Sequence, residues 1–417
     1  MKEKAGCDVI VVGAGIVGIS IALKLQAQGK RVLVVDRKGV ASETSAGNAG
    51  AFAFSDIIPL ATPGIMRKAP KWLLDPLGPL SIRPAYAWQI MPWMLKFWRS
   101  SWQDKYQAAL AAQAELMSFS KAALERQIAA VKGDALIRRE GQLQVYEGLE
   151  EFKASLADWK IRKEHGVVFQ FLENHEAIAA IQPGIHPRFS HGVFTPEWMN
   201  VVHPEKWTQH LAGAFEGLGG RVCIASIKAI EPSNEQVIVL CEDGETLIAS
   251  NLVLAAGAWS KPLAHSLGDD IPLDTERGYN TTLSTEKFEL KTHLSFSNHG
   301  FVVSKVGDDI RVGGAVELGG LSLAPNYKRA ELLLNKAASF LPGLPSKGGV
   351  QWMGFRPSMP DSLPVISYAS RTKRVIYAFG HGHLGLTQSA GTAELVSSLL
   401  SQATPEINLI PFSAKRF

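Results

Sequence analysis

The sequence predicts an α/β fold with a Rossmann-like parallel sheet, and three observations carry that prediction. A strand, a glycine-rich turn, a helix and a second strand follow one another at 9–36. A strand, a glycine loop and a helix recur at 375–400, and between the two lies a strand-rich stretch, Tyr279–Val316. At 417 residues, 46% hydrophobic and 20% charged, the chain is long enough for more than one domain and a sizeable core. These fractions are ordinary for a globular protein and exclude a disordered chain, a collagen and a coiled coil.

Val9–Val12 is a run of β-branched residues, as in a short strand buried on both faces. Gly13-Ala14-Gly15-Ile16-Val17-Gly18 follows, Ile19–Gln28 continues as a helix, and Gly29 stops it. Arg31–Val35 is the second buried strand and ends in Asp36. A right-handed crossover makes these two strands parallel. From Ser42 to about Pro84 the chain is rich in Gly, Pro and small residues and reads as loop. Ala108–Val131, rich in Ala, Leu, Glu, Lys and Gln, predicts a long helix. Short strand-like runs follow at Leu143–Tyr146 and Val167–Phe171, then a helix over Glu205–Gly217. Arg221–Ala225, the hairpin-like Val237–Ile248 and Leu252–Ala256 read as strands. Arg329–Leu341 is helical, and strand Val375–Phe379, a glycine loop and helix Gln388–Leu400 close the chain. No internal repeat is visible.

Composition narrows the partners. A net charge of +4, from 43 basic and 39 acidic side chains with no run of five like charges, gives no reason to expect nucleic acid. Cys7, Cys223 and Cys241 lie far apart, and neither a C-x-x-C nor a His pair at ligand spacing is present. No metal and no disulfide framework are expected, and a reducing, cytoplasmic compartment fits best. Lys2 and Lys4 before the apolar Val9–Leu23 imitate a short signal sequence. Three glycines interrupt that run, no A-x-A site follows, and it falls short of the roughly 18 apolar residues of a spanning helix. The segment therefore reads as the first strand and helix of the fold. No G-x-S-x-G or H-E-x-x-H points to a hydrolase.

The glycine turn is informative because of its context: it follows a strand, opens a helix and precedes an acid at the end of the next strand. Gly13 permits the tight turn, Gly15 lets the backbone approach a pyrophosphate, and Gly18 allows the helix to pack closely on the strand. The helix N-terminus offers N–H donors and a positive dipole end to the phosphates. Asp36 is placed to accept hydrogen bonds from an adenosine ribose. This fingerprint does not separate FAD from NAD. The C-terminal Tyr377–Thr387 supplies a second glycine loop, with Gly380, Gly382 and Gly385, and a second helix N-terminus. Such a helix end would stabilise the negative charge of a reduced flavin, so a cofactor touched by both ends of the chain suits FAD better. A second strand–helix turn with no ligand is the alternative.

Seven motifs in order resemble the D-amino-acid oxidase/glycine oxidase superfamily of FAD enzymes, and most of all its bacterial D-amino-acid dehydrogenases. They are VVGAGIVG at Val11–Gly18, VVDR at Val34–Arg37, ETSAGNAG at Glu43–Gly50 and LVLAAGAWS at Leu252–Ser260. ERGYN at Glu276–Asn280, GFRPSMPDSLPVI at Gly354–Ile366 and GHGHLGLT at Gly380–Thr387 complete the set. The resemblance implies an FAD-binding domain from 1–60, 196–270 and 350–417. It also implies a mixed-sheet, α+β substrate domain from 61–195 and 271–349. It assigns FAD contacts to Gly13, Gly15, Ile16, Val17, Gly18, Asp36, Arg37, Ser45, Gly47, Asn48, Ala49 and Gly50. Further contacts fall on Val222, Ala256, Gly257 and Trp259, and on Gly382, His383, Leu384, Gly385, Leu386 and Thr387. Relatives with covalent flavin carry a histidine or a cysteine where this chain has Gly47-Asn48 and Gly354, so FAD is expected to be non-covalent. His383 replaces a small polar residue of many dehydrogenase relatives and counts against a D-alanine-type specificity.

The reaction implied is oxidation of the C–N bond of an amino acid or N-substituted amino acid, of the D-amino acid, glycine/sarcosine, imino acid or iminodiacid type. Hydride leaves for flavin N5, and the imine hydrolyses to a 2-oxo acid. Arg356 is the candidate carboxylate clamp, because a guanidinium fork matches a carboxylate bidentately. The rival reading pairs it structurally with Asp361. Tyr279 could donate to the same carboxylate, or be an ordinary strand tyrosine. His383, with His381 beside it, could influence the protonation of the amine. A flavin monooxygenase fed by NADPH and a flavin-binding protein without turnover are the alternative functions.

Trp88–Trp102 places Trp88, Met91, Leu95, Trp98 and Trp102 at three- and four-residue steps, with Lys96 and Arg99 nearby and four of the ten tryptophans inside it. Three readings of the segment 84–102 stay open: an apolar stripe packed on the substrate domain, contact with a membrane interface, and subunit contact in a homo-oligomer. Peripheral attachment to the inner face of the cytoplasmic membrane would let a quinone reoxidise FAD. Oxygen and quinone are both open as electron acceptor.

Overall fold

The computed structural model describes residues 6–67, 80–284 and 287–417. Two large sheets organise them. In the first, the strands Arg221–Ile224, Val32–Asp36, Cys7–Val12, Thr246–Leu254 and Thr372–Phe379 lie side by side and parallel. The hairpin of Ile227–Pro232 and Val237–Cys241 runs antiparallel to the start of Thr246–Leu254, and Val365–Ala369 runs antiparallel to Thr372–Phe379. Both faces are covered, as the unbroken apolar runs predict. Val9, Val11, Val32 and Val34 pack beneath the helices Ile16–Ala27, Gln103–Ala130, Pro204–Gly217 and Gly385–Leu400. Ile10, Val12, Leu33 and Val35 face the opposite core with Val237, Leu252 and Val375.

The second sheet is mixed and has nine strands among the described residues. Val350–Ser358, Asp274–Leu283, Asp309–Leu318, Phe301–Val306 and His293–Phe296 run antiparallel in that order. Gln142–Glu147 joins parallel to His293–Phe296, and Leu80–Ile82 runs parallel to Leu318's strand. One face packs on the helix Lys328–Phe340 through Val303, Val312, Leu334 and Phe340. The other face turns toward the loop that follows Asp36.

Two placements differ from the expected domain division. Val350–Ser358 is an edge strand of the second sheet, because its backbone pairs along its whole length with Asp274–Thr282. Gln103–Ala130 packs on the first sheet's helices, with Ala112, Leu116 and Leu124 in the same core as Ile19 and Ala390. The helix at Ala87–Ser100 also corrects one reading. Ile90 and Trp93 pack on Leu318 beneath the sheet edge, while Trp88, Met91, Leu95, Trp98 and Trp102 are all exposed. The apolar stripe therefore does not pack on the substrate domain. Among the described residues, no helix is long and apolar enough to cross a membrane.

Candidate functional site

A cleft of about 610 Å³ opens where the parallel strands end. Gly13 and Gly15 enter it after Val12, Asp36 and Arg37 after Val35, Ala255–Gly257 after Leu254, and His381 and Gly382 after Phe379. The C-terminal edge of a parallel sheet is where strand termini and helix N-termini converge on a ligand. Gly13 has φ +110°, and a Cβ there would stand 2.4 Å from the Ala255 carbonyl oxygen. A Cβ at Gly18 would stand 1.9 Å from the Gly13 carbonyl oxygen, so the helix lies directly on the turn. The Ile16 amide donates to Ser45 Oγ at 3.0 Å. Among the described residues the amides of Gly15, Val17 and Gly18 have no protein acceptor. They are donors left for an anion at the helix N-terminus, which suits the pyrophosphate of a dinucleotide.

Asp36 lines the cleft and also braces it. Its Oδ2 accepts from the Ala14 amide at 2.8 Å, and Oδ1 accepts from the amides of Lys38 and Gly39 at 2.8 and 2.9 Å. A carboxylate offers about four acceptor positions, which leaves room for a ribose hydroxyl. Arg37 lies 4.0 Å over the Trp259 ring and pairs with Glu43 at 2.6 Å, so the two aromatic and cationic planes form one wall. Ser45, Asn48, Ala256, Gly257, Gly385 and Leu386 also line the cleft.

Val222 does not. It sits mid-strand opposite Val34, and the lining at that corner comes from Ala225–Lys228, just past the strand end.

The C-terminal loop divides its residues between cleft and anchor. His381 faces the cleft, is buried, and has Nε2 3.0 Å from Thr392 Oγ1. Burial pushes its pKa down to about 3, so the ring is neutral. Leu384 packs with Ala53, Ile57 and Leu110, and Thr387 Oγ1 accepts from the Ala53 amide at 3.0 Å. His383 turns to Asp56, its Nε2 3.1 Å from Oδ2, and Arg162 stands 3.9 Å from the other oxygen. Burial raises the Asp56 carboxyl, but His383 and Arg162 outweigh it and hold the group below its ordinary range. Sequence reasoning missed Asp56: nothing in the local pattern links it to a residue over 300 positions away.

On the second sheet, strand alternation decides which side chains can meet. Arg356 lies opposite Glu276, Gly354 opposite Gly278, and Trp352 opposite Asn280. This face looks at the loop Ser45–Gly50: Asn280 Nδ2 donates to the Gly47 carbonyl at 2.9 Å, and a Cβ at Gly47 would stand 2.2 Å from the Trp352 ring. Arg311 reaches the same loop from the next strand. Arg356 is half-buried, and its Nη1 donates to the Ala315 carbonyl at 2.8 Å. Desolvation lowers its pKa, against an opposing effect of Glu276. Asp361 pairs with Arg416 at 2.7 Å instead, which removes the structural ion pair considered for Arg356.

Tyr279 departs from expectation. It is one residue out of phase with Gly278 and points to the other face, where its hydroxyl donates to Glu317 Oε1 at 2.8 Å and accepts from the Asn326 amide at 3.0 Å. Arg277 shares that buried network, bonding Glu317 and three carbonyls of the loop 320–324. Tyr279 thus braces the back of the sheet and cannot share a carboxylate with Arg356. Among the described residues one cluster has metal-ligand geometry, Glu147, Glu151 and His299, and Glu147 is also faced by Arg188 at 3.7 Å.

Comparison with known proteins agrees with this geometry. Residues 8–399 match the family model described as FAD dependent oxidoreductase, DAO. A D-amino-acid oxidase of Bradyrhizobium diazoefficiens is 37% identical over 420 residues, covering 99% of each chain. A D-amino acid dehydrogenase of Rhizobium johnstonii is 31% identical over 98% of this chain and 99% of its own. In fold, the glycine oxidase of Geobacillus kaustophilus superposes with a TM-score of 0.80 at 19% identity, covering 99% of this chain and all of its own. With the free amides at the first helix, the acid at Asp36 and the second glycine loop in one cleft, the chain belongs to the DAO family of FAD-dependent oxidoreductases.

Proposed function

We propose that this protein oxidises the C–N bond of a small amino or imino acid, with Arg356 holding the substrate carboxylate. The observation that carries this reading is the state of Arg356. Its guanidinium lies on the sheet face turned to the cofactor loop, and no carboxylate lies within ion-pair distance among the described residues. A guanidinium has five donors, and one is used here. The 37% relative named a D-amino-acid oxidase and the 31% relative named a D-amino acid dehydrogenase support the same substrate class.

FAD, when bound, supplies a hydride acceptor at N5; the protein binds, orients and desolvates. Arg356 fixes the carboxylate end of the substrate, and Trp352, two residues along the same face past Gly354, bounds the space beside it. His383 is held by ionised Asp56 through Nε2, and its other ring nitrogen has no protein partner among the described residues. The substrate ammonium must lose its proton to give the neutral amine that hydride loss requires, and His383, outside the cleft lining, anchors the loop that carries His381 into it. The product imine then meets water and hydrolyses to the 2-oxo acid. None of the residues lining the cleft is a cysteine, in keeping with non-covalent FAD.

The exposed stripe Trp88, Met91, Leu95, Trp98 and Trp102 is the surface we assign to an anionic membrane interface. Trp88 is 89% exposed, and the residues between Ala87 and Trp102 include no acid. Lys96 is exposed beside the stripe, close to Phe417 at the chain end. Indole rings beside basic groups favour the headgroup region, from which a quinone could take the electrons. Oxygen would serve in its absence. Anaerobic mixing of the holoprotein with D-amino acids, glycine, sarcosine, imino acids and iminodiacids tests the central reading. Bleaching of the visible flavin band by one of these and not by NADPH is expected; bleaching by NADPH alone would overturn it.

A further inference from the structure

We propose that Arg311 is a positioning residue for the flavin: it turns the peptide groups of the loop Ser45–Gly50 so that the amides of Gly47 and Ala49 face the cofactor as donors. Arg311 comes from the second sheet and is 8% exposed. Its Nη1 donates to the carbonyls of Ala46 and Asn48, at 3.2 and 2.5 Å, and its Nε donates to Thr282 Oγ1 at 2.9 Å. Asn280, on the neighbouring strand, takes the carbonyl of Gly47. Three consecutive carbonyls are thereby drawn toward the sheet.

In a planar trans peptide the C=O of one residue and the N–H of the next point in opposite directions. Holding the carbonyls of 46, 47 and 48 therefore turns the amides of 47, 48 and 49 away from the sheet. The Asn48 amide finds the Ser45 carbonyl at 3.5 Å. The amides of Gly47 and Ala49 have no acceptor among the described residues. Ser45 and Asn48 of this loop line the cofactor cleft, so the two free donors belong to a segment that passes along it. Donors fixed in advance beside a bound flavin would stabilise the negative charge that its ring gains on reduction.

A guanidinium is suited to this task because its rigid fork serves Thr282 with one nitrogen and both loop carbonyls with another. No acid stands at ion-pair distance from Arg311 among the described residues; the two loop carbonyls and the Thr282 hydroxyl take its hydrogen bonds, and Asp309 and Glu205 favour its charge from farther away. The proposal rests on the family's FAD and not on the substrate reading, so either can fail while the other stands.

Sulfite titration of the holoprotein tests it, since the sulfite adduct at N5 places negative charge in the ring without any substrate. Arg311→Met is expected to bind sulfite about tenfold more weakly, the scale of one to two hydrogen bonds. Thr282→Val should weaken it in the same direction by less, and Arg311→Lys should recover most of the wild-type affinity. In turnover, kcat should fall more than KM rises. Wild-type sulfite affinity in Arg311→Met would overturn the proposal, as would a lysine variant no better than methionine. Should Arg311→Met not retain FAD, wild-type sulfite affinity in Thr282→Val, or an Arg311→Lys affinity more than about tenfold below wild type, would overturn it.

Discussion

Arg356 lies across Gly278. Its side chain leaves the edge strand, passes over the adjacent strand where that strand has no side chain, and reaches the Ala315 carbonyl on the third. A Cβ at Gly278 would stand 2.3 Å from Arg356 Nη2. The glycine of the ERGYN motif is thus a seat for the guanidinium.

Gly278→Ala should displace that guanidinium and little else, because Gly278 does not have the left-handed φ that would strain an alanine. Small misplacements of a positioning group cost up to roughly a hundredfold in rate. We expect kcat/KM to fall about ten- to a hundredfold for substrates bearing a carboxylate, with FAD content unchanged. Wild-type kinetics in this variant would show that Arg356 acts from another position.

Arg356→Lys keeps the charge and loses the planar fork. A charge-assisted hydrogen bond contributes about 1.5–3 kcal/mol, so kcat/KM should fall about ten- to a hundredfold. Arg356→Ala should lose more, since the carboxylate would be left without a partner. An amine lacking a carboxylate should lose little in either variant. Equal losses for both substrate types, with flavin-poor protein, would assign Arg356 to the fold instead.

Acid precipitation of the holoprotein should release intact FAD into the supernatant. The cleft residues include no cysteine, and His381, the imidazole that lines it, is buried against Thr392. A yellow pellet would reveal a covalent anchor.

His293 carries a pH signature. It is buried, its Nδ1 is 3.2 Å from Asn200 Oδ1, and burial pushes its pKa down to about 4 from 6.5. Between those values the unfolded chain binds the extra proton and the folded one does not. Stability must therefore fall as pH drops from about 6.5 toward 4, by up to about 1.4 kcal/mol per pH unit for this group. In urea denaturation, His293→Gln should narrow the difference between pH 7 and pH 5. A difference of wild-type size would mean that His293 is charged in the folded protein.

The Trp88 stripe predicts a lipid dependence. The protein should co-sediment with vesicles containing anionic phospholipid, less with neutral vesicles, and less again at high salt. Trp88→Ser combined with Leu95→Ser should abolish this while leaving flavin content unchanged. Binding that survives both substitutions would place the contact elsewhere. A change in oligomeric state in place of lipid binding would identify the stripe as a subunit contact.

Local order was readable where chemistry and periodicity coincide. Val9–Val12, Gly13–Gly18 and Asp36 announce the first turn of the cleft because each step of a tight strand–turn–helix demands a particular residue type. The helices at Gln103–Ala130 and Lys328–Phe340 follow composition within a few residues. The helix Leu149–Glu164 and the strand Val350–Ser358 were not readable, the first because its pattern is weakly amphipathic, the second because Gly354 and Pro357 obscure a strand. Side-chain direction was lost wherever it depends on register. Tyr279 and Arg356 look equally poised in sequence, and only the pairing of their strands puts them on opposite faces. Arg311 and Asp56 carried no local signal, since each acts on a segment made far away in the chain.

The neighbour relations of the first strand bear on how the protein is made. Cys7–Val12 pairs on one side with Val32–Asp36, which emerges immediately after it, and on the other with Thr246–Leu254. At about 5–20 residues per second, the second partner leaves the ribosome on the order of 10 to 50 s later. Through that interval Val9 and Val11 form an open, apolar edge able to pair with another nascent chain. A chaperone that shields this edge should raise the yield of folded protein, and a product truncated before Thr246 should aggregate. The chain must be more than half made before its cofactor site can exist.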